Sequence, residues 1–144
     1  IAVIALVFIV NSFLGLIGSY LGLDISIQII LGYLFAPVAW LMGIPWGEAL
    51  VAGELLGLKT TLNEFVAYPA LADLEPGILS DKSKLITFYG LCGFANFSSV
   101  GILVSGMGAM APERKEDLIE VSFQALIGAT LASCMTGLIV GCLI

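Results

Sequence analysis

Long runs without a charged residue are the feature that most constrains this chain. These runs are each about 20 residues or longer, and they cover residues 1–23, 25–47, 85–112 and 121–144. The hydrocarbon core of a bilayer accommodates a helix of about 20 apolar residues, and a helix satisfies all of its own backbone polar groups in lipid. Only 11% of the residues are charged and the mean hydropathy is +1.11, far above that of a soluble domain. We therefore expect an all-α membrane protein that crosses the lipid bilayer several times.

The charged and sulfur-containing residues exclude several classes of partner and cofactor. The net charge is −6, with five Lys and Arg residues and no His. Such a chain offers no basic patch, so we expect no nucleic acid partner. Cys92, Cys134 and Cys142 lie singly in apolar runs, which favours packing over a metal site or a disulfide framework. We expect no cofactor.

The chain opens at Ile1 within an apolar run, without the Met and basic flank of a signal peptide. We expect it to be a portion of a longer protein, packed against upstream helices of the same protein. Residues 1–23 then form a transmembrane helix. Residues 24–44, with Asp24 as a helix cap, Pro37 as an interruption and the aromatic Tyr33 and Trp40, favour a helix lying in the membrane interface. A second spanning helix is the alternative.

Residues 45–74 are too charged to cross a membrane once and too apolar for a loop. Their charged residues are Glu48, Glu54, Lys59, Glu64 and Asp73. Pro45 followed by Glu48 is typical of a helix start, and Thr61 with Glu64 fits a capping box that opens a second helix. These signals predict a re-entrant helical hairpin with its tip between residues 57 and 63. A tip at membrane depth has to be surrounded by protein or by a water-filled cavity.

The second half of the chain contains one interrupted helix and one continuous helix. Residues 75–84 are polar and predict an exposed connection. Residues 85–111 predict a discontinuous transmembrane helix, because glycines and hydrogen-bonding residues cluster in its middle. Residues 112–117 predict a turn, and residues 118–144 the last transmembrane helix. Cations flank the interrupted helix on both sides, so the positive-inside rule does not orient it.

Two polar residues within apolar stretches indicate where a ligand binds. Glu64 and Asn96 are costly at membrane depth unless they face protein or water, which makes each a candidate for a binding or transport site. Simpler roles remain open for these residues and for their neighbours. Glu64 could cap a helix, Asn96 could bond two helices together, Ser99 could bond its own backbone, and Phe94 could serve only in packing.

Two ungapped segments carry a resemblance to a known family. The segments are NEFVAY at residues 63–68 and CGFANFSSVG at residues 92–101, accompanied by ILGYLFAP at 30–37 and PWGEALVAG at 45–53. In this order they resemble the concentrative nucleoside transporter family, and the resemblance covers nearly the whole chain. It implies the carboxy-terminal portion of such a transporter, with the first helix as a scaffold.

The resemblance also implies residue roles. In the family, the residues matching Glu64 and Ser99 bond ribose hydroxyls, the one matching Asn96 contacts the ribose, and the one matching Phe94 lies beside the nucleoside. The hairpin that reads the base, and the site of the sodium or proton that drives transport, are expected upstream of this chain. The resemblance suggests a homotrimer, and lean loops suggest a bacterial inner membrane.

We expect secondary active transport of nucleosides, in which the hairpin and the broken helix move as one block. We do not expect an enzyme, because clustered Asp, His or basic residues at a helix end are absent from the sequence. A membrane enzyme or a non-transporting membrane subunit is the alternative. A channel is disfavoured because the polar residues form two local groups and do not line a whole span.

Overall fold

The computed structural model describes residues 2–144, with side chains from residue 5 onward, and all of the regular structure in this range is helical. Ile1, the first residue of the predicted scaffold helix, lies outside the described residues. The seven α-helices are α1 (Ala2–Leu21), α2 (Ile27–Leu41), α3 (Trp46–Thr61), α4 (Glu64–Ala72), α5 (Asp81–Leu91), α6 (Phe97–Met110) and α7 (Lys115–Leu143). A single 3-10 turn, Pro112–Arg114, precedes α7.

The connection between α1 and α2 is fixed by Asn11 in the middle of α1. Its amide donates to Gln28 Oε1 at 2.8 Å, and its Oδ1 accepts from the Ile27 N–H at 2.9 Å. The cap of α2 is Ser26, whose hydroxyl accepts from the Ile29 N–H at 3.2 Å. The prediction that Asp24 caps this helix is wrong, since α2 begins three residues later at Ile27 and only Ser26 is in register with its first N–H groups.

Helices α2 and α3 share the most extensive helix–helix contact among the described residues. A Cβ on Gly53 would lie 2.5 Å from the Gly32 carbonyl oxygen and 2.8 Å from the Ala36 nitrogen, so only a glycine allows this approach. Ala36 and Ala39 of α2, together with Ala52 of α3, are buried at the same contact. Small residues thus bring the two backbones together, as is usual between helices in lipid.

Helices α3 and α4 form a hairpin that is interrupted at residues 62–63. Asn63 caps α4, because its Oδ1 accepts from the Val66 N–H at 3.1 Å. The predicted capping box of Thr61 with Glu64 is wrong. Thr61 is the last residue of α3, and its hydroxyl bonds back to the Gly57 carbonyl oxygen instead.

The apolar stretch 85–111 is divided between α5 and α6, which are separated by a non-helical segment at residues 92–96. Helix α5 begins at Asp81, inside the range predicted as a connection, because the Ser80 hydroxyl accepts from the Ser83 N–H and starts the helix there. Helix α7 likewise begins at Lys115, before the predicted residue 118. Among the described residues, the stretch Pro112–Leu143 is the one helical region that is both long and apolar enough to cross a membrane.

Shorter apolar helices account for the remaining runs. They cover Ala5–Leu21, Ile27–Leu41 and Phe97–Met110. The run at 85–112 falls short because the break at 92–96 ends one helix and begins another. Whether α2 lies in the interface and whether the α3–α4 hairpin re-enters the membrane stay predictions.

The open end of the hairpin is fastened to the start of α5. Glu48, in the first turn of α3, accepts hydrogen bonds from the N–H and the hydroxyl of Ser80, each at 3.0 Å. One carboxylate therefore lies in the first turn of α3 and also beside the amino end of α5, where negative charge is favourable. The position of Glu48 in the first turn of α3 is the one predicted from its spacing after Pro45.

Candidate functional site

The two interruptions meet at a hydrogen bond between Glu64 and Asn96. The Asn96 Nδ2 donates to Glu64 Oε2 at 3.0 Å, across 32 residues of sequence. Glu64 is the first residue of α4, and Asn96 is the residue immediately before α6. The two polar residues singled out from the sequence are therefore close enough for one small molecule to touch both.

Asn96 is completely buried and uses both ends of its side chain. Its Oδ1 accepts from the Ser99 N–H at 2.7 Å, while the Ser99 hydroxyl accepts from the Asn96 N–H at 3.2 Å, which completes a capping box at the start of α6. The amide nitrogen of Asn96 has two hydrogens, and the bond to Glu64 uses one of them. Asn96 thus caps α6 and also bonds two helices together.

Glu64 is half-buried and keeps one oxygen without a protein partner. Its Oε2 accepts from Asn96, whereas its Oε1 accepts no hydrogen bond from the side chains and backbone of residues 5–144. Glu64 is in the first turn of α4, where the N–H groups without helix partners carry partial positive charge. Glu64 does not cap the helix, since Asn63 does so. The site therefore presents a strong, unused acceptor.

Ser99 is bonded to Asn96 in the first turn of α6 and is 2% exposed. Its hydroxyl donates to the Asn96 carbonyl oxygen at 2.7 Å and lies 3.3 Å from the Phe94 carbonyl oxygen. The simpler role weighed for Ser99, bonding to nearby backbone, is thus present in this conformation. One acceptor lone pair of the hydroxyl remains after these contacts and the bond from the Asn96 N–H.

Phe94 is the exposed member of the set, with 56% of its surface accessible. Together with Ser99 and Leu103 of α6 and with Leu126 and Ala129 of α7, it lines an apolar groove beside the break. An exposed aromatic side chain at this place can pack against the face of a flat ligand. The structure therefore puts all four predicted site residues at or next to the two interruptions.

Sequence reasoning treated Lys59 only as a charge that interrupts the hairpin, and so missed its position. Lys59 lies in the last turn of α3 and is 1% exposed, the largest of the fully buried side chains. Its ammonium approaches Gly93 in the break, where an added Cβ would lie 3.6 Å from Nζ. A signal was present in the sequence, because Lys59 is the only Lys or Arg in residues 1–81.

Tyr68 is a second residue that sequence reasoning did not assign. Its hydroxyl lies 2.9 Å from Cys92 Sγ and 3.4 Å from the Phe88 carbonyl oxygen, at the end of α5. The ring also packs against Phe88, with 5.0 Å between the ring centres. Tyr68 therefore fastens α4 to the start of the break, close to where Asn96 fastens the other side.

The arrangement suits the recognition of neighbouring hydroxyl groups. The Glu64 oxygen without a partner can accept from a hydroxyl, and the buried Asn96 amide holds that carboxylate in place through the bond to its other oxygen. No group of three or more His, Cys, Asp or Glu residues in the described part of the chain is arranged to hold a metal ion. The chemistry offered is therefore hydrogen bonding together with an aromatic surface.

Comparison with known proteins identifies one family along the chain. A family model described as the carboxy terminus of Na+ dependent nucleoside transporters matches residues 1–141. The chain is 44% identical over 121 residues to a nucleoside permease, NupC, of Helicobacter pylori, covering 81% of the chain and 29% of that protein. It is 39% identical over 158 residues to mouse solute carrier family 28 member 3, covering 99% of the chain and 22% of that protein.

Solved structures agree with these relatives. The chain is similar to the transporter CNTnw in an inward-facing substrate-bound state, with a TM-score of 0.83 and 41% identity over 97% of this chain and 35% of that one. It is also similar to a CNTnw variant in an intermediate state, with a TM-score of 0.91 and 41% identity over 99% of this chain and 36% of that one. The named relatives are permeases and transporters, not enzymes. The chain spans about a third of their length or less.

Proposed function

Because the chain belongs to the Na+-dependent nucleoside transporter family, we propose that the full-length protein transports nucleosides and that this chain holds the ribose. Transport is secondary and active, driven by an ion gradient. The family description favours sodium as the coupling ion over a proton, and its site is expected upstream of this chain. The protein is a multi-pass protein of a bacterial inner membrane and assembles as a homotrimer with its own upstream helices around each hairpin.

The observation that carries the proposal is the bond between Glu64 and Asn96. It supports a ribose site because the pair leaves one carboxylate oxygen of Glu64 without a partner. The free Oε1 of Glu64 accepts from one ribose hydroxyl, and the second Asn96 N–H donates to the adjacent hydroxyl oxygen once the ligand displaces the groups that bury Asn96 in this conformation. A hydrogen bond to a charged group contributes about 1.5–3 kcal/mol, enough to distinguish a ribose from a sugar that lacks the hydroxyl.

Ser99 and Phe94 complete the proposed contacts. Ser99 is buried beneath Asn96, so it contacts the ribose through its remaining lone pair when the ligand reaches the floor of the site. Phe94 covers a face of the nucleoside with its exposed ring. The base is read by a hairpin that lies outside this chain.

Alternating access is supported by the contacts that join the hairpin to the broken helix. Glu48 bonds Ser80 at the open end, and both Tyr68 and Glu64 bond the break at the closed end. Three separate ties make α3–α6 suitable to move as one block that carries the ligand past a fixed scaffold. A substitution that removes any one of these contacts leaves the other two in place.

The test is uptake of radiolabelled uridine by the full-length protein in proteoliposomes with an imposed sodium gradient. We expect Glu64→Gln to lower uridine uptake at subsaturating concentration by about a hundredfold, because the charged acceptor is lost. The matched control is Glu75→Gln, the same change at an exposed position in the connection before α5, which keeps wild-type uptake. Unchanged uptake by Glu64→Gln removes Glu64 from the site, and absence of uridine binding by the wild-type protein in calorimetry overturns nucleoside transport itself.

A further inference from the structure

Lys59 places a positive charge where two helices end, beside the break at residues 92–96. Helix α3 ends at Thr61 and helix α5 ends at Leu91. The carboxyl end of a helix carries partial negative charge from carbonyl groups that have no partner in the helix. The Lys59 ammonium sits in the last turn of one of these helices and approaches Gly93, just past the end of the other.

The Lys59 side chain is otherwise without a partner of opposite charge in direct contact. Within residues 5–144, the one salt bridge formed is between Arg114 and Asp117. The titratable groups that act on the Lys59 ammonium are Cys134, Glu64 and Cys92, and Glu64 forms no salt bridge with it. Burying a lysine this deeply is costly unless something in its surroundings favours a cation.

The surroundings of Lys59 match those that secondary transporters use for a coupling ion. In such proteins, carbonyl groups of unwound segments and the carboxyl ends of half-helices bind Na+ near the substrate. Here the last turn of α3, through Lys59, lies beside the non-helical segment that follows the end of α5 and contains Gly93. Gly93 keeps the space open, because a Cβ there would collide with the Ser133 hydroxyl and come within 3.6 Å of Lys59 Nζ.

We propose that the Lys59 ammonium is a built-in cation that takes the place of a coupling ion at this break. Lys59 is then a positioning residue: it holds the carboxyl ends of α3 and α5 together and keeps Asn96 and Glu64 in register. The α3–α6 block consequently binds no Na+ at this position. The consequence of this inference for transport rests on the proposed function. The role of Lys59 in packing the α3–α6 block does not.

The experiment compares thermal unfolding of the full-length protein in NaCl and in choline chloride of equal ionic strength, without nucleoside. Lys59→Met removes the charge and keeps the length of the side chain, and Lys59→Arg keeps the charge. Lys82→Met is the matched control, the same change at an exposed position on α5. We expect Lys59→Met to unfold at a lower temperature in choline and to gain more stability from Na+ than wild type does, because Na+ fills the vacated place. Lys59→Arg and Lys82→Met follow wild type.

A second readout is the sodium dependence of uridine binding and uptake. At low Na+, Lys59→Met binds uridine about tenfold more weakly, equivalent to about 1.4 kcal/mol. High Na+ restores the affinity, and the Hill coefficient for Na+ in uptake rises by about one, as expected for one added ion site. A buried lysine with a merely structural role would weaken binding without changing the dependence on Na+.

The proposal is overturned if the unfolding temperature of Lys59→Met shows the same dependence on Na+ as wild type. If Lys59→Met does not fold, Lys59→Gln takes its place in the same assay. If neither folds, Tl+ is diffused into crystals of the wild-type protein: Tl+ bound beside Gly93 overturns the proposal, and Tl+ bound only elsewhere supports it. Because unfolding is measured without nucleoside, a failure of this proposal is distinguishable from a failure of nucleoside transport.

Discussion

The two interruptions use the same residue type in the same local role, yet only one of them joins the two helical elements. Asn63 precedes α4 and Asn96 precedes α6, and each accepts a hydrogen bond from the N–H three residues later, at 3.1 and 2.7 Å. Asn63 is half-buried and forms only this cap. Asn96 is fully buried and also donates to Glu64. In both asparagines the side-chain oxygen caps a helix. Only the amide nitrogen of Asn96 also bonds to another helix, and that bond creates the site.

The surroundings of the two asparagines explain the difference. The hairpin turn is two residues long and brings α4 back against α3, so Asn63 points toward its own helix start. The break at 92–96 is five residues long and lies beside the hairpin tip. Asn96 therefore meets a side chain from another element, and the Ser99 N–H fixes the orientation of its side chain by donating to Oδ1. If this comparison is correct, matched substitutions at the two positions have unequal consequences.

The largest expected effect comes from changing each asparagine to aspartate. Asp caps a helix about as well as Asn does, so both caps are retained. Asn96→Asp nevertheless puts a carboxylate against Glu64 in place of an amide donor, and like charges this close repel. We expect uridine affinity of the full-length protein to fall about a hundredfold for Asn96→Asp and to stay within about twofold for Asn63→Asp. Isothermal calorimetry at pH 8 measures both, and equal losses at the two positions would contradict the comparison.

Exchanging the carboxylate and the amide between positions 64 and 96 separates their mutual contact from ligand binding. In the double variant Glu64→Gln with Asn96→Asp, an amide again donates to a carboxylate across the same gap. We expect its unfolding temperature to return toward that of wild type, while uridine affinity stays low because the free acceptor is no longer on α4. Recovery of uridine affinity in the double variant would mean that the pair matters only for packing.

The next largest effect is expected at Phe94. The break contains this exposed aromatic residue, whereas the two-residue hairpin turn contains no aromatic residue. Phe94→Ala removes an exposed ring, so we expect uridine affinity to fall about tenfold with little change in the unfolding temperature. The control is Phe97→Ala on α6. Phe97 packs edge-on against Phe123, with 6.4 Å between the ring centres. Its loss lowers the unfolding temperature and leaves affinity within about twofold, and the reverse pattern in calorimetry and thermal unfolding would remove Phe94 from the site.

The sequence was sufficient for the parts of the fold that depend on local chemistry. The uncharged runs, the clustered helix-weakening residues around Asn96 and the motif resemblance together indicated helices, a break and a family. The family is confirmed by the matching model and relatives, and the all-helical fold by the structural neighbours. The residue-level roles and the placement of each helix relative to the membrane stay predictions.

Other features could not be obtained from the sequence because they depend on competition or on distant contacts. Asp24 and Thr61 are good capping residues by type, but Ser26 and Asn63 are in register with the helices that form. The burial of Lys59 depends on distant contacts, since its ammonium lies beside Gly93 in the break and Ser133 of α7 packs against the same glycine. The bond between Glu64 and Asn96 spans 32 residues, and no local pattern fixes such a distance.

The smallest expected effect compares the loss of each cap by substitution to alanine. Asn63→Ala removes the cap of α4, and Ser99→Ala removes the reciprocal half of the capping box of α6. Each is expected to cost about 1 kcal/mol of stability, because one helix-end donor loses its partner.

Equal losses of stability with unequal losses of affinity are the decisive pattern. Uridine affinity is expected to stay within about twofold for Asn63→Ala and to fall about threefold to tenfold for Ser99→Ala, since the Ser99 hydroxyl accepts from the Asn96 backbone N–H and offers a lone pair to the ribose. Thermal unfolding and calorimetry on the same full-length preparations measure both quantities. If affinity instead follows stability equally in the two variants, the two interruptions are equivalent and the break has no special role in binding.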